Sequence, residues 1–300
     1  MTMRDITLLI NPTSGRGRGE RIGSRVATHL TIAGFTVQTM IGTDAGHSGE
    51  LAEAAVKGGT DALVLVGGDG MVHLGLQAVA GRNTPLGIIP AGGGNDIARA
   101  LGLPLRNPLR AADYVGAGRI RKIDLGKASG RWFGGVVAAG FDARVNERAN
   151  RMRWPQGRLR YNLAMLAELG VFTAVPYELE LDGQKWSTQA MLVAIGNMPY
   201  YGGGMKVVPS ARPDDGLFDV MVVKPLSRAK LLTVFPRVYA GTHVRLPFVE
   251  VRQARSVRVN APDICAYVDG ERLGPLPQTF TAVPEALSVF APPSPANREA

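Results

Sequence analysis

The stretch Asp61 to Gly70, DALVLVGGDG, constrains this chain more than any other. An apolar run, Ala62 to Val66, stops on Gly67-Gly68-Asp69-Gly70, and helical spacing resumes with Val72, Leu76 and Val79. That is a buried strand feeding a glycine turn and a helix. Three glycines permit positive φ and leave no Cβ to block a ligand, so successive N–H groups can converge on an anion at the helix start. Asp69 would repel a bare phosphate, but it suits a nucleotide whose charge is partly carried by Mg²⁺. A tight βα turn with a solvated aspartate satisfies the same string.

With 300 residues, the chain can bury about three quarters of its extended surface in one large domain or two ordinary ones. Its net charge of +9 points to an anionic partner, whether nucleic acid, a nucleotide or an acidic membrane. The single cysteine, Cys265, excludes an internal disulfide framework and a Cys-based zinc cluster, and it fits a reducing, cytoplasmic setting. No signal-peptide pattern opens the sequence, and no run reaches the roughly 18 apolar residues of a membrane span. Any membrane contact is therefore expected to be peripheral.

The first 125 residues alternate strand and helix. Ile6 to Ile10 reads as a strand that ends in Asn11-Pro12-Thr13-Ser14-Gly15-Arg16-Gly17-Arg18-Gly19, followed by a helix with Ile22, Val26 and Leu30 on one face. The loop gathers glycines, hydroxyls and two arginines but lacks the lysine of a P-loop. Phe35 to Ile41 is the second strand, Thr43 to His47 its exit loop, with His47 a surface or capping residue, and Ser48 to Lys57 the next helix. A further strand, Leu86 to Ile89, closes on Pro90-Ala91-Gly92-Gly93-Gly94-Asn95-Asp96 and a helix from Ile97 to Leu101. Loops at the carboxyl ends of parallel strands open on one crevice, so these glycine nests would face one ligand. Asp124, in the strand-like Ile120 to Leu125, is either a third carboxylate near that crevice or a solvated strand end.

Beyond residue 125 strands dominate: Trp132 to Ala138, Tyr177 to Leu181 turning at Asp182-Gly183, Ser187 to Ile195, Leu217 to Val223, Val249 to Val259, Tyr267 turning at Asp269-Gly270, and Thr279 to Phe290. This reads as an antiparallel, sandwich-like second domain. Helical pieces are expected around Leu159 to Leu169 and Ser227 to Tyr239, and a frayed tail from Pro292. Between Arg144 and Arg160, six arginines (Arg144, Arg148, Arg151, Arg153, Arg158, Arg160) surround Trp154 against only Glu147. That composition suits an anionic lipid interface, and equally a solvated basic helix end.

Asn11 to Gly15, Gly67 to Gly70, Pro90 to Asp96, Asp214-Asp215-Gly216-Leu217-Phe218-Asp219-Val220 and Asp269-Gly270-Glu271 occur in the order and approximate spacing of the diacylglycerol kinase catalytic family. The chain resembles that family over nearly its whole length, and any one motif is far weaker than five in series. The resemblance implies an α/β nucleotide-binding domain over 1–125, a β-rich lipid-substrate domain over 126–300, and an active site in the cleft between them. It also implies ATP- and Mg²⁺-dependent phosphorylation of a lipid hydroxyl, with diacylglycerol converted to phosphatidic acid in phospholipid biosynthesis. Phosphorylation of sphingosine or ceramide, an NAD-kinase-like reaction on a small molecule, and a non-catalytic nucleotide- or lipid-binding module are the alternatives. The implied partner is lipid at an anionic membrane surface; no nucleic acid is expected, and a homodimer is compatible.

Carried over residue by residue, the resemblance puts Asn11, Pro12, Thr13, Ser14, Gly15, Thr43, Gly67, Gly68, Asp69, Gly70, Met71, Val72 and His73 at the nucleotide, with Gly92, Gly93, Gly94 and Asn95 closing the phosphate side. Asp69, Asp96 and Asp124 would organise the catalytic Mg²⁺. A structural Mg²⁺ in the second domain would take the Asp215 carboxylate and the carbonyls of Arg212 and Leu217. The family's usual Thr after Gly70, a Glu three positions on and the Thr of the second nest are Met71, Leu74 and Gly93 here. A lost hydroxyl contact costs about 0.5–1.5 kcal/mol, which activity survives if the backbone amides stay in place.

A lipid hydroxyl needs a proton acceptor, and Asp269-Gly270-Glu271 offers two carboxylates at a hairpin tip. The resemblance gives the base role to Glu271 with Asp269 beside it; the residues themselves do not rank the two, and a plain Asp-Gly turn with a solvated Glu has the same sequence.

Overall fold

The structure, a computed structural model, describes residues 4–152, 154, 163–164, 167–168 and 173–294, without the side chains of 141–143, 146, 150, 228, 231, 232 and 235. Arg153, Arg158 and Arg160, most of the expected helix at Leu159 to Leu169, and the tail from 295 lie outside the described residues. The chain forms two compact units: residues up to Leu125 together with those from Pro284, and Gly126–Val283.

The first unit is a parallel sheet built from β1 (Asp5–Ile10), β2 (Thr36–Ile41), β3 (Ala62–Gly67) and β4 (Leu86–Pro90), in the order β2-β1-β3-β4. All six positions of β3 are buried, as its unbroken apolar sequence requires, whereas β2 is an edge strand with four of its six positions exposed. Its helical pieces are the one-turn α1 (Ser14–Gly17), α2 (Gly19–Ile32), α3 (Ala45–Lys57), α4 (Asp69–Val79), the short α5 (Asp96–Ala100) and α6 (Pro108–Gly116). Ile6, Leu8, Ile10, Val64, Val66 and Ile89 pack on Val26 and Leu30 of α2 and on Ala111, Ala112 and Val115 of α6. The opposite sheet face carries α3 and α4, where Gly75 of α4 lies so close to Leu65 that a Cβ there would sit 2.4 Å from its Cδ1. Asp44 caps α3 by accepting the His47 N–H at 2.9 Å, and Asn107 caps α6 ahead of Pro108.

The sequence places everything beyond 125 in the second domain, yet the end of the chain returns to the first unit. Strand β18 (Gln278–Phe290) sets Val289 beside Leu86 of β4, and Phe290 joins the core of the first unit. The other strand that crosses the boundary is β5 (Ile120–Ala128).

The second unit continues with β6 (Arg131–Phe133), β7 (Val136–Gly140), α7 (Phe141–Arg151), β8 (Val175–Leu181), β9 (Gln184–Ala190), β10 (Leu192–Gly196), the ribbon of β11 (Tyr200–Tyr201) and β12 (Met205–Lys206), β13 (Phe218–Val223), α8 (Arg228–Ala240), β14 (Val249–Ala254), β15 (Ser256–Asn260), β16 (Cys265–Val268) and β17 (Glu271–Pro275). One antiparallel sheet runs β14-β13-β10-β7-β16-β17, and the start of β18 with β15, β8 and β9 forms the other. Val137, Val193, Ile195, Val220 and Val222 of the first meet Tyr177, Leu179, Val257, Val259 and Phe280 of the second. The Phe133 ring lies 5.7 Å from that of Phe218 and 6.2 Å from that of Phe280.

This is the expected sandwich, with three expected strands divided. Ser187 to Ile195 becomes β9 and β10, and Val249 to Val259 becomes β14 and β15, each pair switching sheets at a corner. Trp132 to Ala138 breaks at Gly134-Gly135 into β6 and β7. Both Asp-Gly turns have the two left-handed central residues of a type I′ hairpin, with φ of 49° and 85° at Asp182-Gly183 and 51° and 89° at Asp269-Gly270.

Candidate active site

Three loops meet backbone to backbone at the carboxyl edge of the parallel sheet. After β1, the Asn11 Oδ1 accepts the N–H and hydroxyl of Thr13 at 3.0 and 2.7 Å, while the Asn11 N–H donates to the Val66 carbonyl at 3.1 Å. Gly15 and Arg16 both take φ of 62°. A Cβ on Gly15 would sit 2.8 Å from the Ala91 carbonyl oxygen, and one on Gly92 would sit 2.5 Å from the Gly68 Cα. The loops after β1, β3 and β4 thus form one surface that tolerates no side chain at those contacts. Asn95, at φ 54°, accepts the Gly92 N–H at 3.0 Å and donates to the Gly92 carbonyl at 2.9 Å, closing the third loop on itself.

Asp69 opens α4 and reaches to α5, where its Oδ1 accepts the N–H groups of Asp96 at 2.6 Å and Ile97 at 3.3 Å. Burial, and then the neighbouring Asp96 charge, push the Asp69 carboxyl up to about 6 against the pull of those amides. Asp96 is buried, 3.9 Å from the Arg99 Nε. A pair of adjacent carboxylates in which one resists ionising is a site that a cation would relieve. Asp124 is buried, not solvated, and its Oδ1 accepts the Glu285 N–H at 2.8 Å, tying β5 to the returning β18. Among the described residues no group of three His, Cys, Asp or Glu converges to hold a metal directly.

The other expected nucleotide residues divide by exposure. Met71, Val72 and His73 are buried in α4, and the N–H groups of Met71 and Val72 donate to the Gly68 carbonyl. Cβ atoms at Gly70 and Gly93 would meet nothing within 4 Å. Thr43 is bound through its Oγ1 to the His47 Nδ1 at 2.9 Å, which accounts for His47 as a local partner.

In the second unit the two carboxylates of the hairpin tip differ in contacts and exposure. Asp269 accepts the Gly134 N–H at 2.9 Å and the Gly135 N–H at 2.8 Å, and its own N–H donates to the Val136 carbonyl at 3.1 Å. Asn197, fully buried, grips the other side of the same diglycine: its Nδ2 donates to the Gly134 carbonyl at 2.9 Å and its backbone N–H to that of Gly135 at 2.9 Å. Asp269 is a clamp, and Glu271, at the exposed start of β17, is the carboxylate presented to solvent. Sequence reasoning passed over Asn197 and Gly134-Gly135, although a diglycine inside an apolar run signals close backbone approach.

Asp215 accepts the Leu217 N–H at 3.0 Å across a turn with Gly216 at φ 74°. The strand that follows is held by buried Asp219, which accepts from Ser210 and, at 2.9 Å, from Gln253. Near α7, Trp154 is 78% exposed and Arg144 and Arg151 are exposed. The patch is less basic than its sequence, since Arg151 pairs with Glu147 and Arg148 with Glu168, each at 2.6 Å.

The chain thus joins a parallel α/β unit, with three glycine loops on its carboxyl edge, to an antiparallel β sandwich, and known proteins give that pairing its class. The model of the diacylglycerol kinase catalytic domain matches residues 5–128, and that of the YegS C-terminal NAD kinase beta sandwich-like domain matches 135–291. The chain is 45% identical to a diacylglycerol kinase of Mycobacterium tuberculosis over 96% of its length and 95% of the relative's. It is 30% identical to one of Bacillus subtilis over 97% of each. A diacylglycerol kinase structure from Bacillus anthracis superposes over 98% of both chains with a TM-score of 0.76 at 21% identity. An NAD kinase from Archaeoglobus fulgidus in complex with ATP, 14% identical, shares the fold with a TM-score of 0.55 over 95% of this chain and 93% of its own. The chain belongs to the diacylglycerol kinase family.

Proposed function

We propose that the protein transfers the γ-phosphoryl group of ATP to the hydroxyl of a membrane lipid, with diacylglycerol as acceptor and phosphatidic acid as product. The observation that carries this reading is the joining of the Gly15, Gly68 and Gly92 loops around Asp69 in a member of this family. The lipid hydroxyl oxygen forms a bond to the γ-phosphorus, the bond from that phosphorus to the bridging oxygen breaks, ADP leaves, and the hydroxyl proton passes to Glu271. The first unit binds and orients the nucleotide phosphates through its glycine loops; the second supplies the base, with Asp269 and Asn197 fixing the hairpin that carries it.

The donor set fits Mg²⁺: Asp69 and Asp96 are hard oxygen ligands, and two carboxylates leave positions for nucleotide oxygens and waters. When bound, the ion neutralises charge on the β- and γ-phosphates. A second Mg²⁺ would be held by the Asp215 carboxylate with the carbonyls of Arg212 and Leu217. Peripheral docking on anionic bilayers through Trp154 and the arginines near α7 is part of the same reading; among the described residues no helix is long and apolar enough to cross a membrane. Mixed micelles of diacylglycerol with γ-labelled ATP and Mg²⁺ provide the test: label in an organic-extractable product is expected, and its absence from every lipid offered would sink the reading.

A further inference from the structure

The α2–α6 face of the first unit holds a cavity of about 410 Å³ beside the loops that follow β1 and β4. Arg18, Arg21 and Arg25 line it from the start of α2, Arg106 from the approach to α6, and Pro90 to Gly92 form another wall. The lining contains four arginines and no acidic residue. Residues 18, 21 and 25 are spaced three and four apart, so they share one helix face, and like charges at that spacing destabilise a helix that has no anion to offset them. The Arg18 Nε is fixed by the Gly15 carbonyl at 2.9 Å. The side chains of Arg21, Arg25 and Arg106 have no ion pair or hydrogen bond among the described residues. Some arginines elsewhere are closely paired, as in Arg82 with Glu53 at 2.7 Å and Arg151 with Glu147 at 2.6 Å.

Along the Pro90 to Gly92 wall the backbone donors are taken, since the Ala91 N–H is given to the Gly67 carbonyl at 2.8 Å and the Gly92 N–H to the Asn95 Oδ1 at 3.0 Å. Recognition there falls to guanidinium groups, whose fork suits phosphate oxygens. Thr43 and Asp69, at the starts of α3 and α4, belong to the other helical layer of the sheet. The volume lies within the range of small-ligand sites and exceeds what a single phosphate fills.

We propose that this pocket is a second anion site, on the α2–α6 side of the nucleotide loops and distinct from the Asp69 crevice, that takes a phosphate ester carrying at least two negative charges. Such a group is offered by a soluble organic phosphate or by the headgroup of a phosphomonoester lipid. Pyrophosphate is the soluble probe, titrated calorimetrically into the full chain saturated with Mg²⁺ and a non-hydrolysable ATP analogue. Vesicles of phosphatidylcholine with and without phosphatidic acid, in a flotation assay with the same analogue present, are the membrane arm. The Arg21→Ala/Arg25→Ala and Arg106→Ala variants should weaken at least one arm tenfold or more, while Arg25→Lys retains part of the affinity and activity without pyrophosphate stays at the wild-type level. Loss confined to the pyrophosphate arm assigns a soluble ligand, and loss confined to the vesicle arm assigns a lipid headgroup. Binding unchanged in both arms, or pyrophosphate displaced stoichiometrically by the ATP analogue, would overturn the proposal.

Discussion

The Asp69 carboxylate accepts the backbone N–H of Asp96 at 2.6 Å, so the turn after β3 caps the helix that follows the glycine loop after β4. One side chain thereby fixes two of the three loops relative to each other, at the cost of holding a carboxylate close to Asp96. Burial, and then the Asp96 charge, raise its pKa from the ordinary 3.8 to about 6.

A raised carboxyl pKa makes its contribution to stability complete below about 3.8, and that contribution is lost as pH rises through about 6. Two pKa units correspond to about 3 kcal/mol. Urea unfolding of the apo protein should show stability falling between pH 4 and 7, with the fall largely absent in Asp69→Asn. Mg²⁺ with ATP should restore stability most at the upper end of that range, and kcat/KM for ATP should decline on the acid side of about pH 6. Asp69→Ala should remove turnover while circular dichroism stays unchanged; a wild-type kcat in that variant would contradict the role given to this carboxylate.

The two carboxylates of the hairpin tip should separate cleanly. Glu271→Gln is expected to lower kcat by about 10² or more with little change in the KM for ATP or in Tm, as a general base requires. Asp269→Asn exchanges an acceptor for a donor facing a buried N–H, which costs about 1–3 kcal/mol and lowers Tm by several degrees. Thermal melts beside steady-state kinetics give both readings. A Tm unchanged in Asp269→Asn would show that the diglycine clamp carries no weight.

Two neighbouring glycines should respond oppositely. In Gly92→Ala the new Cβ meets the Gly68 Cα at 2.5 Å and the Asn95 Oδ1 at 2.9 Å, so backbone must move. About 1–3 kcal/mol of stability and much of the ATP affinity should go with it. Gly93→Thr meets nothing within 4 Å of its Cβ and should leave Tm in place while lowering the KM for ATP. Calorimetry on both variants checks the pair.

Trp154→Ala should reduce sedimentation with anionic vesicles at low salt, and wild-type binding should fade as ionic strength rises. Equal binding to neutral and anionic vesicles, or none to either, counts against the lipid-docking face.

Much of this architecture is local and therefore legible in the sequence. The apolar run of β3, the glycine loops and the Asp-Gly hairpins each announce themselves within ten residues. What stayed hidden depends on distant partners. Nothing in Val249 to Val259 marks Arg255 as the corner where β14 gives way to β15, because the strand's identity is set by which sheet it pairs with. The last strand carries a helix-free run through both units, with only the left-handed Glu285 marking the crossing. Asp69 with Asp96 and Asp269 with Gly134 are partners 27 and 135 residues apart, so spacing alone could propose the carboxylates but not their duties. In the basic segment near α7 the partner is likewise distant, since Glu168, which pairs with Arg148, lies 20 residues downstream.

The most direct measurement is a competition for γ-labelled ATP with Mg²⁺, in which diacylglycerol, ceramide and sphingosine in mixed micelles and NAD in solution are offered together. Label should appear chiefly in phosphatidic acid, require Mg²⁺, and vanish with Asp69→Ala. Label in NAD, or in no acceptor at all while the protein remains folded, would contradict the assignment of a lipid kinase acting through the Asp69 crevice.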